Sequence, residues 1–193
     1  MMEFIKHFNK LASIYRATHI ENRAESTAEH TTLLLGILYH YKEEIEKIAD
    51  YSKVLELALI HDLPESITGD FKDFNRPDNH KDLEQQAIAS ISNSLKDNNK
   101  LKRYSEQALE LSEMQSKETL IVALFDKLTV LITESENVSD NLFYTYNHSF
   151  ADWLHQHLVP FFPMDTDLIG IVLDFCRYAS DRKTFPDTKA TRN

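Results

Sequence analysis

The chain has 193 residues, 42% of them hydrophobic, so it is long enough to bury one sizeable core. Its 21 Lys and Arg against 31 Asp and Glu give a formal charge of −10, which argues against a broad surface for a nucleic-acid polymer or an anionic membrane. A single cysteine excludes an intramolecular disulfide framework. With no leader-like N-terminus and no apolar run near the roughly 18 residues of a membrane span, we predict a cytoplasmic protein.

Helical spacing of apolar residues dominates the chain. Three glycines and five prolines punctuate it, apolar residues recur at intervals of three and four, and no β-hairpin signal appears. The pattern predicts an all-α fold, a single bundle of about six to eight helices. We expect one domain over residues 1–181, followed by a polar, frayed C-terminal tail at 182–193.

The N-terminal part predicts a helix over about residues 2–17, then a polar stretch from 18 to 25. The run Ser26-Thr27-Ala28-Glu29 then matches a capping box, in which the Ser and Glu side chains satisfy each other's backbone amides. A helix is therefore expected to begin after Ser26 and to continue to about residue 41. His30 falls in its first turn, on the face of the apolar residues Leu33, Leu34 and Ile37.

A second apolar helix is predicted over about residues 51–62. Its periodicity turns both His61 and Asp62 inward. Pro64 disfavours helical geometry at the preceding residue, so the helix should end there, with a tight turn at Gly69-Asp70. The stretch 71–80 is the best candidate for a loop that covers a substrate.

The remaining pattern predicts helices at about 81–97, 101–113, 117–135, 139–158 and 165–181. In the third of these, Asp126 shares a face with Val122, Ala123 and Val130. A carboxylate on an apolar face is costly unless a cation compensates its desolvation.

Four inward-facing side chains of ligand type therefore stand out: His30, His61, Asp62 and Asp126. Imidazole and carboxylate groups together suit a divalent transition metal. Each alone is weak evidence, because a histidine on an apolar face is commonly a hydrogen-bonded core residue. Two histidines and two aspartates facing inward in one helical chain favour a metal site.

These residues carry a resemblance. The pattern His30, His61-Asp62, Asp126 resembles the H…HD…D signature of the HD-domain metal-dependent phosphohydrolases. The surroundings at 25–30, 61–70 and 118–131 are similar to the 5′-deoxynucleotidase branch of that family, and the likeness covers roughly residues 2–135.

The resemblance implies a homodimer that binds one divalent metal (Co²⁺, Mn²⁺, Mg²⁺ or Zn²⁺) and a deoxyribonucleotide substrate. The implied metal ligands are His30, His61, Asp62 and Asp126, the catalytic carboxylates are Glu65 and Asp70, and the candidate substrate-binding residues are Arg16, Arg23, Lys72 and Lys127. The sequence departs from the family after Arg16, where Ala17 replaces a tryptophan, and after Asp70. We expect substrate choice to be decided there.

The predicted activity is hydrolysis of the 5′-phosphate of deoxyribonucleoside monophosphates. Two alternatives stay open: release of tripolyphosphate from deoxynucleoside triphosphates, and a nucleotide-binding HD module without turnover. The presence of both Glu65 and Asp70 argues against the second, because a structural metal site needs no additional carboxylates. Cyclic-nucleotide hydrolysis is less favoured, because the larger HD phosphodiesterases generally carry a second set of histidines.

Overall fold

The computed structural model describes residues 2–71, 76–114, 116–137, 141–146, 149–161 and 165–186. Apart from one two-stranded sheet, the regular structure of these residues is helical, which confirms the all-α prediction. Eight of the helices in these ranges have eight or more residues, within the predicted six to eight. None of the described helices has the length and apolar character that crossing a bilayer requires.

The elements follow one another with short connections. In chain order they are α1 Met2–Leu11, β1 Tyr15–Ile20, β2 Arg23–Ser26, α2 Thr27–His40, α3 Lys42–Glu46, α4 Tyr51–Ile60, α5 Glu65–Thr68, α6 His80–Ser94, α7 Asn98–Glu113, α8 Lys117–Glu136, α9 Leu142–Thr145, α10 Phe150–His157, a 3₁₀ turn Val159–Phe161 and α11 Thr166–Asp181.

The chain divides into two compact units. The first comprises Met1–Arg16 and Glu25–Ala123, and the second Ala17–Ala24 and Leu124–Asn193. The first unit contains α1 to α7, with α2 packed on α4, α6 on α7, and α1 on α5. Its core includes the fully buried side chains Leu34, Leu38, Ile45, Leu57, Leu63 and Ile91.

The hairpin β1–β2 was not predicted. The expected helix over 2–17 ends at Leu11, because the backbone groups of Tyr15–Ile20 pair instead with Arg23–Ser26. The hairpin turns at Glu21, which takes the left-handed conformation with φ of 54°. Hairpin prediction relies on Gly or Asn-Gly at such a position, and this turn has neither. The N–H of Thr27 donates to the carbonyl of Ile14 at 2.9 Å and ties the base of the hairpin to α2.

The predicted helix over 139–158 is two helices, α9 and α10. Each has its own N-cap, which explains the interruption. Asn141 Oδ1 accepts from the Phe143 N–H at 2.8 Å, and Ser149 Oγ accepts from the Asp152 N–H at 3.2 Å. The apolar spacing continues across both helices, so it did not reveal the break.

Fraying from residue 182 onwards was also wrong for the described part of the tail, 182–186. Thr184 is buried, and its N–H donates to the carbonyl of Ala179 at 3.0 Å. The Phe185 ring stacks on Phe143 with centroids 4.0 Å apart. The tail is thus anchored by an aromatic contact that its polar composition does not show. Residues 187–193 lie outside the described ranges, and the boundary of the HD-like domain at 181 stays a prediction.

Candidate metal centre

The capping box at the start of α2 places the first histidine. Ser26 is the N-cap, its hydroxyl accepts from the Glu29 N–H at 3.3 Å, and its own N–H donates to Glu29 Oε2 at 2.9 Å. Because this reciprocal pair fixes where the helix begins, His30 stands in the first turn and points inward, 1% exposed. The predicted burial of His30 is confirmed.

The end of α4 places the second histidine and the first aspartate. The helix ends at Ile60, and His61 keeps helical backbone angles as its C-cap. His61 Nδ1 lies 2.7 Å from the carbonyl oxygen of Ala58. A carbonyl only accepts, so Nδ1 carries the proton, and in the neutral ring Nε2 is the atom with the lone pair. This orienting bond is typical of metal-binding histidines.

Asp62 joins the two imidazoles. Its Oδ2 lies 3.0 Å from His61 Nε2 and 3.8 Å from His30 Nε2. One ligand atom from each of the three residues lies within 4.8 Å of the others, an arrangement that could hold a metal ion. The lone-pair nitrogen of a neutral His61 facing a carboxylate oxygen is repulsive unless a proton or a cation lies between them. Two imidazoles and a carboxylate are a donor set that suits divalent transition metals.

The Asp62 carboxyl is strongly biased toward its ionised form. Burial by itself raises the pKa of Asp62, but its interactions with His61, Arg16 and His30 outweigh burial and lower that pKa to about 2. Arg16 was predicted to bind substrate. The structure places its guanidinium on Asp62, with NH1 donating to Oδ2 at 3.1 Å, and both side chains are only 15% exposed. Arg16 thus contacts a candidate ligand and positions it.

The pKa of Glu65, at the start of α5, is shifted in the opposite direction. Burial, then the charges of Asp62 and Asp70, raise the pKa of Glu65 to about 9. The Thr27 hydroxyl donates to Glu65 Oε2 at 2.9 Å. Sequence reasoning missed Thr27, although it stands inside the capping box. In the metal-free chain Glu65 therefore holds a proton.

Asp70 follows a turn that only glycine adopts easily. Gly69 has φ of 75°, and its N–H donates to the Glu65 carbonyl at 2.8 Å. The turn predicted at Gly69-Asp70 is present. Asp70 is half-buried and close enough for its charge to act on Glu65.

The remaining predicted site residues are Asp126, Arg23, Lys127 and Lys72. In the second unit, Asp126 is partly buried on α8 and accepts from Lys127 Nζ at 2.9 Å. Arg23 is exposed at the start of β2 and donates to the carbonyl of Ala24 at 3.2 Å. Lys72 lies outside the described residues, as do residues 73–75 of the proposed covering loop. The roles of Asp126, Arg23, Lys127 and Lys72 stay predictions.

The family model of the HD domain matches residues 8–159. The chain belongs to the HD-domain phosphohydrolases. The 5′-deoxynucleotidase HDDC2 of Dictyostelium discoideum is 30% identical over 145 residues, which cover 70% of this chain and 76% of the relative. The predicted family resemblance is confirmed.

Solved structures show the same fold. The predicted metal-dependent phosphohydrolase of Magnetospirillum magnetotacticum superposes with a TM-score of 0.80 at 20% identity, over 95% of this chain and 93% of that one. An HD-domain phosphohydrolase of Listeria innocua superposes with a TM-score of 0.58 at 16% identity, over 94% and 98% of the two chains. At these identities the likeness concerns the fold alone.

Proposed function

We propose that this HD-domain phosphohydrolase hydrolyses the 5′-phosphate of deoxyribonucleoside monophosphates in a metal-dependent reaction. The observation that carries the proposal is the cluster of His30, His61 and Asp62 beside a buried, proton-holding Glu65. A metal-ligand set adjoining a carboxyl of shifted pKa is what hydrolysis of a phosphate ester needs. The choice of a deoxynucleoside monophosphate follows the likeness to the Dictyostelium 5′-deoxynucleotidase.

His30, His61 and Asp62 would hold one divalent cation, with Asp126 as the fourth ligand on sequence likeness alone. When bound, such a cation polarises a phosphoryl oxygen and lowers the pKa of water. Co²⁺, Mn²⁺, Mg²⁺ and Zn²⁺ are the candidates. The bond from His61 Nδ1 to Ala58 and the Arg16 contact on Asp62 hold two of these side chains in orientation before substrate arrives.

Glu65 is the proposed general base. It holds a proton in the metal-free chain partly because Asp62 is ionised nearby. Neutralising the charge of Asp62 would remove one cause of the raised pKa of Glu65 and favour the carboxylate, which can take a proton from water. Asp70 then assists the leaving 5′-oxygen or reads the sugar, and Arg23, Lys127 and Lys72 supply the candidate cations for the phosphate.

A panel of metals against substrates tests this proposal. The purified chain, stripped with EDTA and reloaded with each of the four metals, is given deoxy- and ribonucleoside mono-, di- and triphosphates. We expect orthophosphate from deoxynucleoside monophosphates and slower turnover of ribonucleotides. Tripolyphosphate from triphosphates would assign the chain to the alternative reaction. Metal binding without turnover of any nucleotide would support the binding-module alternative.

The family resemblance also implies a homodimer. We propose this oligomeric state on the resemblance alone, and sedimentation velocity of the full chain at several concentrations measures it. A single species at the mass of one chain would contradict it.

A further inference from the structure

A concave site lies in the first unit, lined by residues of α1, α4, α7 and the connection 95–97 that precedes α7. It is a cleft of about 500 Å³, within the range of small-molecule sites. Its apolar lining comes from aromatic and aliphatic side chains: Phe4, Phe8, Leu59, Ile60, Leu95 and Tyr104. None of the residues assigned to the metal centre lines it, so the proposed phosphohydrolase reaction does not account for it.

The rim of the cleft carries a surplus of positive charge. Three cations line it, Lys96, Lys100 and Arg103, against two carboxylates, Glu56 and Asp97. Both carboxylates have partners: Glu56 Oε2 accepts from Gln107 at 2.7 Å, and Asp97 Oδ1 accepts from the backbone N–H of Asn99 and Lys100 at 2.9 and 3.2 Å. Within the described part of the chain, the three cations form no salt bridge. An anionic group at this rim would meet cations whose charge is not yet paired.

Tyr104 provides a second, independent observation. Its side chain is 4% exposed, it lines the cleft, and its hydroxyl has no hydrogen-bond partner in the described structure. Buried hydroxyls are normally paired, and an unpaired one destabilises the fold. Burial raises the pKa of Tyr104, so the hydroxyl keeps its proton and is available as a donor. Tyr104 stands one helical turn after Lys100 on α7, so both lie on one helix face.

We propose that this cleft binds a small amphipathic carboxylate, its apolar body against Phe4 and Phe8. Its carboxylate would accept from Lys100 at the rim and, once the side-chain contacts that close the hydroxyl off from solvent open, from the Tyr104 hydroxyl. The size of the cleft, its apolar lining, its unpaired cations and its unpaired donor all match this class. A cationic or a purely apolar ligand of equal size would leave the Tyr104 hydroxyl and the rim cations unsatisfied.

Calorimetric titration of the metal-loaded full chain with decanoate, kept below the concentration at which it forms micelles, tests the proposal. We expect one decanoate per chain, with decylammonium, which has the same apolar body and the opposite charge, binding at least tenfold more weakly. Vesicles that contain phosphatidylglycerol test the alternative source of the same chemistry, a lipid surface, and we expect no binding to them. Equal affinities for decanoate and decylammonium, or binding to vesicles alone, would overturn the proposal.

Two variants locate the site. Tyr104→Phe should weaken decanoate binding about threefold to tenfold, the loss of one hydrogen bond. In the ligand-free protein the same change should raise the melting temperature, because it removes an unpaired buried hydroxyl; loss of folding therefore cannot explain weaker binding. Lys100→Gln should weaken binding by a similar factor, and more so at low salt.

Lys102→Gln is the matched control for Lys100→Gln. Lys102 lies on the same helix, is 75% exposed, pairs with Glu106 at 3.7 Å and does not line the cleft. Decanoate affinity unchanged in Tyr104→Phe, or reduced equally in the two lysine variants, would refute the site. Leu59→Arg tests whether the cleft is instead covered by a second copy of this chain. If the variant is a monomer where the native chain is a dimer, and decanoate does not bind the native chain, the cleft is an interface between copies and the proposal is wrong.

Discussion

Two carboxyl groups three residues apart, Asp62 after α4 and Glu65 at the start of α5, have opposite protonation behaviour. Both are largely removed from water, which by itself raises the pKa of each. Asp62 is surrounded by His61, Arg16 and His30, and its pKa falls to about 2, whereas Glu65 faces the charges of Asp62 and Asp70, and its pKa rises to about 9. Because burial acts in the same direction on both groups, the neighbouring groups account for the opposite signs of the two pKa shifts, one of which suits a ligand and the other a proton carrier.

The largest effect is expected from Asp62→Asn. It removes a proposed ligand and leaves the buried Arg16 guanidinium without its carboxylate. We expect metal affinity to fall by more than the 10–100-fold typical of a lost outer-shell partner, and nucleotidase activity to disappear with it. Calorimetric titration with Mn²⁺ measures the first and phosphate release the second.

Asp174→Asn is the control for this change, because Asp174 is a 60% exposed carboxylate paired with Arg177 on α11. It should leave metal affinity and activity unchanged. An Asp62→Asn protein that bound Mn²⁺ as tightly as the native chain would remove Asp62 from the ligand set.

Glu65→Gln separates chemistry from ligation. Gln keeps the shape and can still accept from Thr27, but it cannot take a proton, so kcat should drop about 10²- to 10⁴-fold while Mn²⁺ affinity changes little. Glu106→Gln, at a carboxylate 66% exposed on α7, is the matched control. Full activity in Glu65→Gln would show that another group carries the proton.

The raised pKa of Glu65 also predicts how stability depends on pH in the metal-free chain. Folded Glu65 keeps its proton up to about pH 9, whereas the unfolded side chain loses it near the ordinary value of 4.5. The folded state then binds more protons, so its stability falls as pH rises from about 4.5 to 9. A loss of about 1 kcal/mol lowers the melting temperature of a chain this size by about 2–4 °C.

Thermal melts in EDTA across this pH range measure the effect, and Glu65→Gln provides the reference. As pH rises, the melting temperature of the native chain should fall relative to that of the variant. Parallel curves for the two proteins would show that Glu65 titrates normally when folded.

The comparison of Asp62 with Glu65 shows which parts of the site a sequence can reveal. Local patterns were sufficient for His30, whose position follows from the capping box and the helical period, and for the turn at Gly69. The contact of Arg16 with Asp62 joins residues 46 positions apart. No local pattern encodes such a contact, so neither it nor the opposed pKa values could be predicted, and substrate binding by Arg16 stays a prediction.

The same distinction between local patterns and distant contacts applies to the fold. Helices with caps and apolar faces, such as α2 and α4, were predicted to within about two residues at their ends. The hairpin at Tyr15–Ser26 was missed because strand pairing overrides weak local preference and its turn has no glycine. The anchoring of Phe185 on Phe143 likewise depends on a tertiary contact, which composition cannot show.

Thr27 offers the smallest and most selective way to alter the contrast between the two carboxyls. Its hydroxyl donates to Glu65 and so favours the ionised form. Thr27→Val keeps the shape, removes the donor, and should raise the pKa of Glu65 further, with kcat about two- to tenfold lower and the acidic limb of the pH–rate profile moved to higher pH. Thr31→Val is the matched control: Thr31 lies one turn later on α2, and its hydroxyl donates to the Thr27 carbonyl at 2.9 Å. Because that bond does not reach Glu65, an equal shift of the pH profile in both variants would mean that Thr27 acts through the helix and not through the carboxyl.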